Sequence, residues 1–240
     1  MSKDHSLSAI DALKTDPDLH DYLVHRLGKS QLRRRLGVEA EHVADKFGQG
    51  RTFFNIENWS AAASVIRFVL NVARMSERGK ANVLDFRVRQ HTVDMAHLPK
   101  EFDGFTILQL SDLHLDVLPE FPDALGQALK GLEYDICVLT GDYRFLTHGP
   151  YECALRGLER ICEDINRDIY AILGNHDSIL MAREIESLDI QLLLNENIRL
   201  ERAKSSIYLA GIDDPHYYAA DNLESAYEAI PDDAVSLLLA

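Results

Sequence analysis

The chain has 240 residues, of which 46% are hydrophobic and 27% are charged, the composition of a folded globular protein with its own core. Its formal net charge of −14 excludes a protein whose whole surface binds nucleic acid, so nucleic acid is not an expected partner. The charge is divided unevenly. Residues 1–100 carry 16 basic and 12 acidic side chains, whereas residues 101–240 carry 9 and 27.

The cysteines and the N-terminus bear on the cellular compartment. Cys137, Cys153 and Cys162 form no CxxC pair, so we interpret them as structural thiols in apolar strand or helix patterns. The N-terminus lacks the apolar stretch of a secretory signal, and no apolar run reaches the ~18 residues of a membrane span. We expect a cytoplasmic protein, with peripheral attachment at the inner membrane as a further possibility.

Residues 1–82 are expected to form a mainly helical region that precedes the rest of the protein. Its first helices are predicted at 18–27 and 29–36. The expected breaks are at Gly28, Gly37, Gly48 and Gly50. The cluster Arg33, Arg34 and Arg35 either contacts phosphate or forms a solvated helix face, and the solvated face is favoured. No catalytic residue is predicted in residues 1–57.

The stretch 58–79 has polar residues at spacings of three and four, which predicts one amphipathic helix that ends at Gly79. Its polar stripe contains Arg67, Arg74 and Arg78. Two interpretations stay open. The apolar face, which includes Ile66, either packs on the rest of the protein or lies in a membrane surface while the arginines meet anionic headgroups.

An α/β domain is predicted after this helix. Leu84, Phe86 and Val88 alternate with polar residues, which predicts a half-buried strand. From Phe105 onward, short apolar runs alternate with helical patterns, as is typical of a largely parallel or mixed sheet covered on both faces. The apolar runs are 106–110, 136–140, 169–173, 207–210 and 235–239, and the helical patterns lie near 122–131, 151–165 and 179–188.

Polar side chains follow four of these runs. They are Asp112 and His114, then Asp142, then Asn175, His176 and Asp177, and finally Asp213 and Asp214. In α/β sheets, ligands gather at the carboxyl ends of the strands, so these side chains are expected to converge on one cleft. Carboxylate, imidazole and amide donors without a thiolate suit Mn, Fe or Zn ions. Asp112 and His114 would point the same way if their segment stays extended.

The succession Asp112-x-His114, Gly141-Asp142 and Gly174-Asn175-His176-Asp177 resembles the calcineurin-like metallophosphoesterases. The phrase LPKEFDGFTILQLSDLHLD, residues 98–116, is similar to a bacterial branch that includes membrane-associated phosphoesterases. The resemblance covers about residues 98–240. It implies an αββα sandwich with mixed sheets over 83–240, and hydrolysis of phosphoester or diphosphate bonds by a hydroxide that bridges two divalent metal ions, with manganese expected first.

The resemblance also implies a role for each residue. Asp112 and His114 would bind the first metal, Asp142 both metals, and Asn175 the second. His176 would contact the scissile phosphate from outside the metal shell and could protonate the leaving group. Asp177 would orient the imidazole of His176.

The sequence departs from the family after these motifs. A histidine at the end of one later strand and a Gly-His-x-His at the end of the next are absent, and together they would supply three metal ligands. The run 235–239 is of the kind that elsewhere in this chain precedes a ligand. We therefore expect the domain to be incomplete at its C-terminus.

Other polar residues near these motifs carry weaker hypotheses. Asp213, Asp214 and His216 either line the cleft or, in the case of the acids, build a turn at Asp-Asp-Pro. Tyr143 and Arg144 directly follow Asp142 and could face a substrate.

Competing functions follow from the same residues. A catalytically impaired binding module on this fold is the alternative to an enzyme, whereas a nucleotide-binding domain is disfavoured because no GxGxxG or Walker loop is present. The expected substrate is a phosphorylated small molecule or a lipid-linked phosphate. A basic amphipathic helix beside an acidic domain favours an amphiphile at an anionic membrane surface.

Overall fold

The structure is a computed structural model that describes residues 9–46, Ile66 and residues 75–240. Two sheets form the α/β part. Their strands are β1 (Ile107–Leu110), β2 (Ile136–Thr140), β3 (Ile169–Ile172), β4 (Ile190–Leu192), β5 (Glu196–Arg202), β6 (Ser205–Gly211) and β7 (Ser236–Leu239). The first sheet is parallel, in the order β1-β2-β3-β4, and the second has β5 antiparallel to β6 and β7 parallel to β6.

Alternate residues of β2 belong to different cores. Cys137 and Leu139 pack with the helices, whereas Ile136 and Val138 pack with residues of the second sheet. Because both faces of the strand are buried, its sequence is an unbroken apolar run, and the predicted and observed bounds of β2 coincide. The core between the sheets also contains Tyr170, Ile172, Leu200, Ile207 and Leu209.

The helices of the α/β part are Phe121–Leu129, Glu152–Cys162, Ala182–Glu186 and Leu223–Ala226, with 3-10 turns at Lys100–Phe102 and Ile179–Met181. The first three pack on the face of the first sheet that is turned away from the second sheet. Gly157 allows the Glu152–Cys162 helix to approach β1's outgoing segment, because an added Cβ would lie 2.7 Å from the Cβ of Leu115. The expected sandwich of mixed sheets after a helical N-terminal region is confirmed.

The N-terminal helices Ala9–Thr15 and Pro17–Lys46 pack on this domain through leucines that include Leu23 and Leu32. The helix Pro17–Lys46 is interrupted at Gly28, whose φ of 76° and ψ of 155° lie outside the helical region, so the predicted break is confirmed there. Gly37 does not break the helix, contrary to expectation. Arg33 and Arg34 are exposed as predicted, but Arg35 is fully buried, so the prediction of a solvated face is wrong at that position.

The helix predicted at 58–79 lies mostly outside the described residues. Met75 is not helical, and Gly79 lies inside a helix at Ser76–Val83 rather than at a helix end. The strand predicted at Leu84, Phe86 and Val88 is wrong, because residues 85–94 form no regular structure and Val88 is 65% exposed. Alternation alone does not provide the neighbouring strand that a half-buried strand requires.

No helix in the part of the chain that the structure describes is both long enough and apolar enough to cross a membrane.

Candidate metal centre

Three of the predicted ligands come together at the carboxyl end of the parallel sheet. Asp112, His114 and Asp142 each offer a ligand atom, and the three atoms lie within 4.8 Å of one another. They follow β1 and β2, which are adjacent parallel strands, so both strands deliver their next residues to the same edge. This arrangement can hold a metal ion.

The backbone at this cluster is left-handed. The φ angles are 53° at Asp112, 42° at His114 and 57° at Asp142, which are uncommon values for residues other than glycine. The Asp112-His114 segment is therefore not extended, so an extended chain is not what brings the two side chains together. Instead, the His114 N–H donates to the Asp142 carbonyl at 3.0 Å, so the loop after β1 is laid against the loop after β2. Strained backbone of this kind occurs at functional sites.

Two glycines let the loops after β2 and β3 touch. A Cβ added at Gly141 would lie 2.3 Å from the Gly174 nitrogen, and one at Gly174 would lie 2.2 Å from Asp142 Oδ1. Side chains at these positions would push the loops apart. The glycines thus set how closely Asp142 approaches the loop that carries Asn175.

The two histidines beside the cluster are held by neighbouring carbonyl groups. Nδ1 of His114 lies 2.8 Å from the carbonyl oxygen of Arg144, and Nδ1 of His176 contacts the carbonyl oxygen of Phe145. A carbonyl oxygen only accepts, so each Nδ1 carries the proton and each neutral ring has its lone pair on Nε2. For His114 this is the usual arrangement of a histidine that ligates a metal through the opposite nitrogen.

The charge distribution also suits a cation. Asp142 is 8% exposed, and burial raises the pKa of its carboxyl group, with a smaller contribution from the charge of Asp112. The His176 N–H donates to Asp142 Oδ1 at 2.9 Å and offsets part of this effect. Two acids and an imidazole at this separation fit a divalent ion, because such an ion offsets the repulsion between carboxylates that burial strengthens.

Asn175 lies at the same cleft. The cleft measures about 210 Å³. Its lining includes Asp112, Asp142, Asn175, Asp214 and Ala240. The convergence of the loops after β1, β2, β3 and β6 on one cleft is confirmed, whereas ligation by the Asn175 amide oxygen stays a prediction. Ala240 directly follows β7, so the run 235–239 also leads into this cleft.

Asp177 does not orient the His176 imidazole, contrary to prediction. Its buried carboxylate accepts hydrogen bonds from the backbone N–H groups of Asp142 at 2.7 Å, Tyr143 at 2.9 Å and Gly174 at 2.9 Å. Burial raises its pKa to about 6 although these donors lower it. Through these three N–H donors, the Asp177 carboxylate joins the loops after β2 and β3.

Tyr143 and Arg144 do not face a substrate, so that hypothesis is wrong as well. Both are buried, and the Tyr143 hydroxyl donates to the carbonyl of Ile172 at 2.8 Å. The Arg144 guanidinium donates to three backbone carbonyls, those of His176, Thr147 and Gly149. These side chains organise the loops from inside.

The loop after β6 is expected either to line the cleft or to build a turn, and Asp214 does both. Asp214 lines the cleft and also builds a turn, because its Oδ2 accepts the N–H groups of Tyr217 and Tyr218 at 2.6 Å. Asp213 is fully buried and faces Arg35, while His216 is exposed and does not belong to the cleft lining.

Sequence reasoning missed Arg35 and Glu39, which contact the loop after β3 from the N-terminal helix. A signal existed in the sequence. Leu32, Arg35 and Glu39 follow one another at spacings of three and four, which places the charged pair on the same helix face as a core leucine. Among the cysteines, Cys137 is buried as expected, but Cys153 is exposed and is not a core residue.

Comparison with known proteins decides the family. The sequence model of the family described as calcineurin-like phosphoesterase matches residues 105–234, more than half of the chain. The chain belongs to the calcineurin-like phosphoesterase family. It is also 28% identical over 162 residues to the uncharacterized metallophosphoesterase YkoQ of Bacillus subtilis (strain 168), an alignment that covers 64% of this chain. The aligned part spans 59% of that relative's length. In this calcineurin-like phosphoesterase, the family match contains all of the predicted site residues and none of the N-terminal helix.

Proposed function

We propose that this protein hydrolyses phosphoester or diphosphate bonds with divalent metal ions bound at the Asp112, His114 and Asp142 cluster. The observation that carries the proposal is the approach of these three ligand atoms within 4.8 Å, at the carboxyl ends of β1 and β2 in a calcineurin-like phosphoesterase. Manganese is the ion that we propose first, with iron and zinc next, because the donors are oxygen and nitrogen without a thiolate.

The protein side chains would bind the ions, and the ions would activate the water. Divalent ions bound here would lower the pKa of a water molecule and neutralise charge on the phosphoryl group. Asp142, buried between the other residues, would bridge two ions, and Asn175 would add an amide oxygen to the second. The nucleophile would be the activated water, so no side chain has to form a bond to phosphorus.

His176 would act on the substrate rather than on the metal. Its ring lies 5.1 Å from the His114 ring, centroid to centroid, at the edge of the ligand cluster. Since Nδ1–H donates to Phe145, only the imidazolium form can donate a proton from Nε2. A protonated His176 would therefore bind the phosphate and protonate the leaving oxygen. Phe145, not Asp177, would orient the ring.

The substrate that we propose carries its phosphate on an amphiphile, as in a lipid-linked phosphate at an anionic membrane surface. Support comes from the arginines of the 58–79 stretch, of which Arg78 is exposed, and from Ile66, which is 57% exposed. Phe145 and Leu146, beside His176, are also exposed apolar side chains, at 43% and 41%. Water-soluble phosphorylated small molecules are the other substrate class.

Metal content and hydrolysis of a generic aryl phosphodiester test the proposed activity. The intact protein should bind Mn²⁺ and hydrolyse the diester only with metal present, and Asp142→Asn should abolish both because the bridging carboxylate is lost. Asp168→Asn is the matched control, since it makes the same change at an exposed carboxylate outside the cluster. A protein that binds no metal and hydrolyses nothing would instead fit the binding module.

A further inference from the structure

The N-terminal helix reaches the loop that carries Asn175 and His176, residues 173–178. Arg35 is fully buried, and its Nη2 donates to the carbonyl oxygen of Asp177 at 2.8 Å. Glu39, one turn later, accepts hydrogen bonds from the Ser178 hydroxyl and the Ile179 N–H, both at 2.8 Å. Two side chains of one helix thus bind the last two residues of this loop and the residue that follows it.

The same arginine contacts the loop after β6. Its guanidinium carbon lies 3.2 Å from the centroid of the Tyr218 ring, and its Nε lies 3.6 Å from the buried carboxylate of Asp213. Gln31, one turn earlier on the helix, donates to the carbonyl of Ala220 at 2.7 Å. The loops after β3 and β6 both line the cleft, so the helix connects two of its walls.

Burial of Arg35 is not explained by packing alone. Removing a guanidinium from water is unfavourable, and Nε and Nη1 of Arg35 make no hydrogen bond among the described residues. Leu32, one turn earlier, is 2% exposed and covers the domain without that cost. An apolar residue at position 35 would also cover the domain, but it could not donate a hydrogen bond to the Asp177 carbonyl.

The contact is one step from the metal cluster. Arg35 binds the backbone of Asp177, whose carboxylate binds the backbone N–H of Asp142. On the other side of the same loop, Arg144 donates to the His176 carbonyl. Consecutive carbonyls of this loop are therefore held by two guanidinium groups, of which Arg35 lies outside the residues that match the family.

We propose that Arg35 and Glu39 are positioning residues of the metal centre, which hold the 173–178 loop so that Asn175 and Asp142 face the same ion. The inference rests on the proposed metal-dependent function. It assigns to the N-terminal helix a part of the site that the family match does not contain.

Mn²⁺ titration calorimetry of the intact protein, with thermal unfolding of the metal-free protein measured in parallel, tests this inference. Arg35→Lys keeps the buried charge but replaces the planar group that reaches Asp177, and Glu39→Gln keeps the size of the side chain. Each should weaken Mn²⁺ binding about 10-fold, the usual effect of removing a group that orients a ligand. Leu32→Ala should lower the unfolding temperature yet bind Mn²⁺ like the wild type, and the exposed Arg34→Lys should change neither.

Two results would overturn the inference while leaving the proposed function standing. One is wild-type Mn²⁺ affinity in both Arg35→Lys and Glu39→Gln. The other is a loss of affinity in Leu32→Ala as large as in Arg35→Lys, because the helix would then act only through overall stability. A wild-type chain that binds no Mn²⁺ would overturn the proposed function and this inference together.

Discussion

The carboxylate of Asp177 accepts a 2.7 Å hydrogen bond from the backbone N–H of Asp142, thirty-five residues earlier in the chain. Its two oxygens also bind the N–H groups of Tyr143 and Gly174. One buried side chain therefore fixes the spacing between the loops after β2 and β3. The geometry of the candidate metal centre depends on it although it is not itself among the clustered ligand atoms.

Asp177→Asn should destabilise the protein and loosen the site. The amide turns one NH₂ group toward backbone N–H donors, so at least one buried donor loses its acceptor, which costs about 1–3 kcal/mol. Urea unfolding measures this cost, and Mn²⁺ affinity should fall in the same variant. The exposed Asp168→Asn, which removes the same charge, should shift stability by no more than ~0.5 kcal/mol. Equal unfolding free energies for the two variants would contradict the role given to Asp177.

His176→Ala should keep the Mn²⁺ stoichiometry and lower turnover of an aryl phosphodiester by about 10²–10⁴-fold, the usual contribution of a general acid. The backbone N–H that binds Asp142 is retained in this variant, so the loop should keep its position. His216→Ala is the control, because His216 is exposed and outside the cleft lining. Loss of bound metal from His176→Ala would make His176 a ligand and reverse the assignment.

The cysteines should differ in reactivity. Burial raises the pKa of Cys137 and of Cys162 to about 12, from 9.0, whereas Cys153 is exposed. Iodoacetamide at about pH 8 should therefore add one group to the folded chain, at Cys153, and none to Cys153→Ser. Intact-protein mass spectrometry counts the adducts, and rapid modification of Cys137 would show that the strand core opens easily.

The same thiols make stability depend on alkaline pH. In the unfolded chain they lose their protons near the ordinary pKa of 9.0, but in the folded chain only near 12. Their contribution to stability is complete below the lower value and is lost as the pH rises toward the higher one. Urea unfolding at increasing pH should show this decline, and it should be smaller in Cys137→Ala.

Anionic vesicles test the proposed membrane contact. The protein should co-sediment with them, dissociate as salt rises, and be released when Arg67, Arg74 and Arg78 are changed to Glu, since each arginine near anionic lipid contributes about 1 kcal/mol. Equal binding to neutral vesicles would contradict this mode of attachment.

A second triple variant shows whether the position of the arginines or the net charge of the protein governs vesicle binding. Changing the exposed Arg199, Arg202 and Lys204 to Glu alters the formal charge by the same amount at a different place. Binding should survive this substitution. Equal release by both triple variants would mean that overall charge, rather than the 58–79 stretch, governs attachment.

The strands that end at the site could be predicted because burial on two faces leaves a continuous apolar run, as in β2. The ligand cluster followed from the rule that parallel strands share a carboxyl edge. Other features depend on contacts that no local pattern contains. The segment with Leu84 and Val88 alternates like a strand but has no partner strand among the described residues. Conversely, β5 is not predicted as a strand, yet it pairs with β6 although only one of its seven residues is buried.

The side-chain roles were hardest to predict where a charge is buried. The motif predicts that Asp177 orients a neighbouring imidazole, but its carboxylate binds main-chain N–H groups of its own loop and of the loop after β2. The arginine cluster predicts an exposed Arg35, although helical spacing places it beside Leu32. Tertiary contacts between residues 142 positions apart decide such cases, and sequence spacing does not report them.

The left-handed backbone at Asp112, His114 and Asp142 lowers stability, although the side chains at these positions are the ones suited to bind a metal. An L-residue in that conformation costs about 1–2 kcal/mol, whereas glycine adopts it freely. A directed-evolution screen that rewards heat resistance alone, in buffer without metal ions, would therefore enrich glycine at positions such as 112 and remove the proposed metal ligands one by one. Engineering of this scaffold needs a selection for metal occupancy alongside any selection for stability.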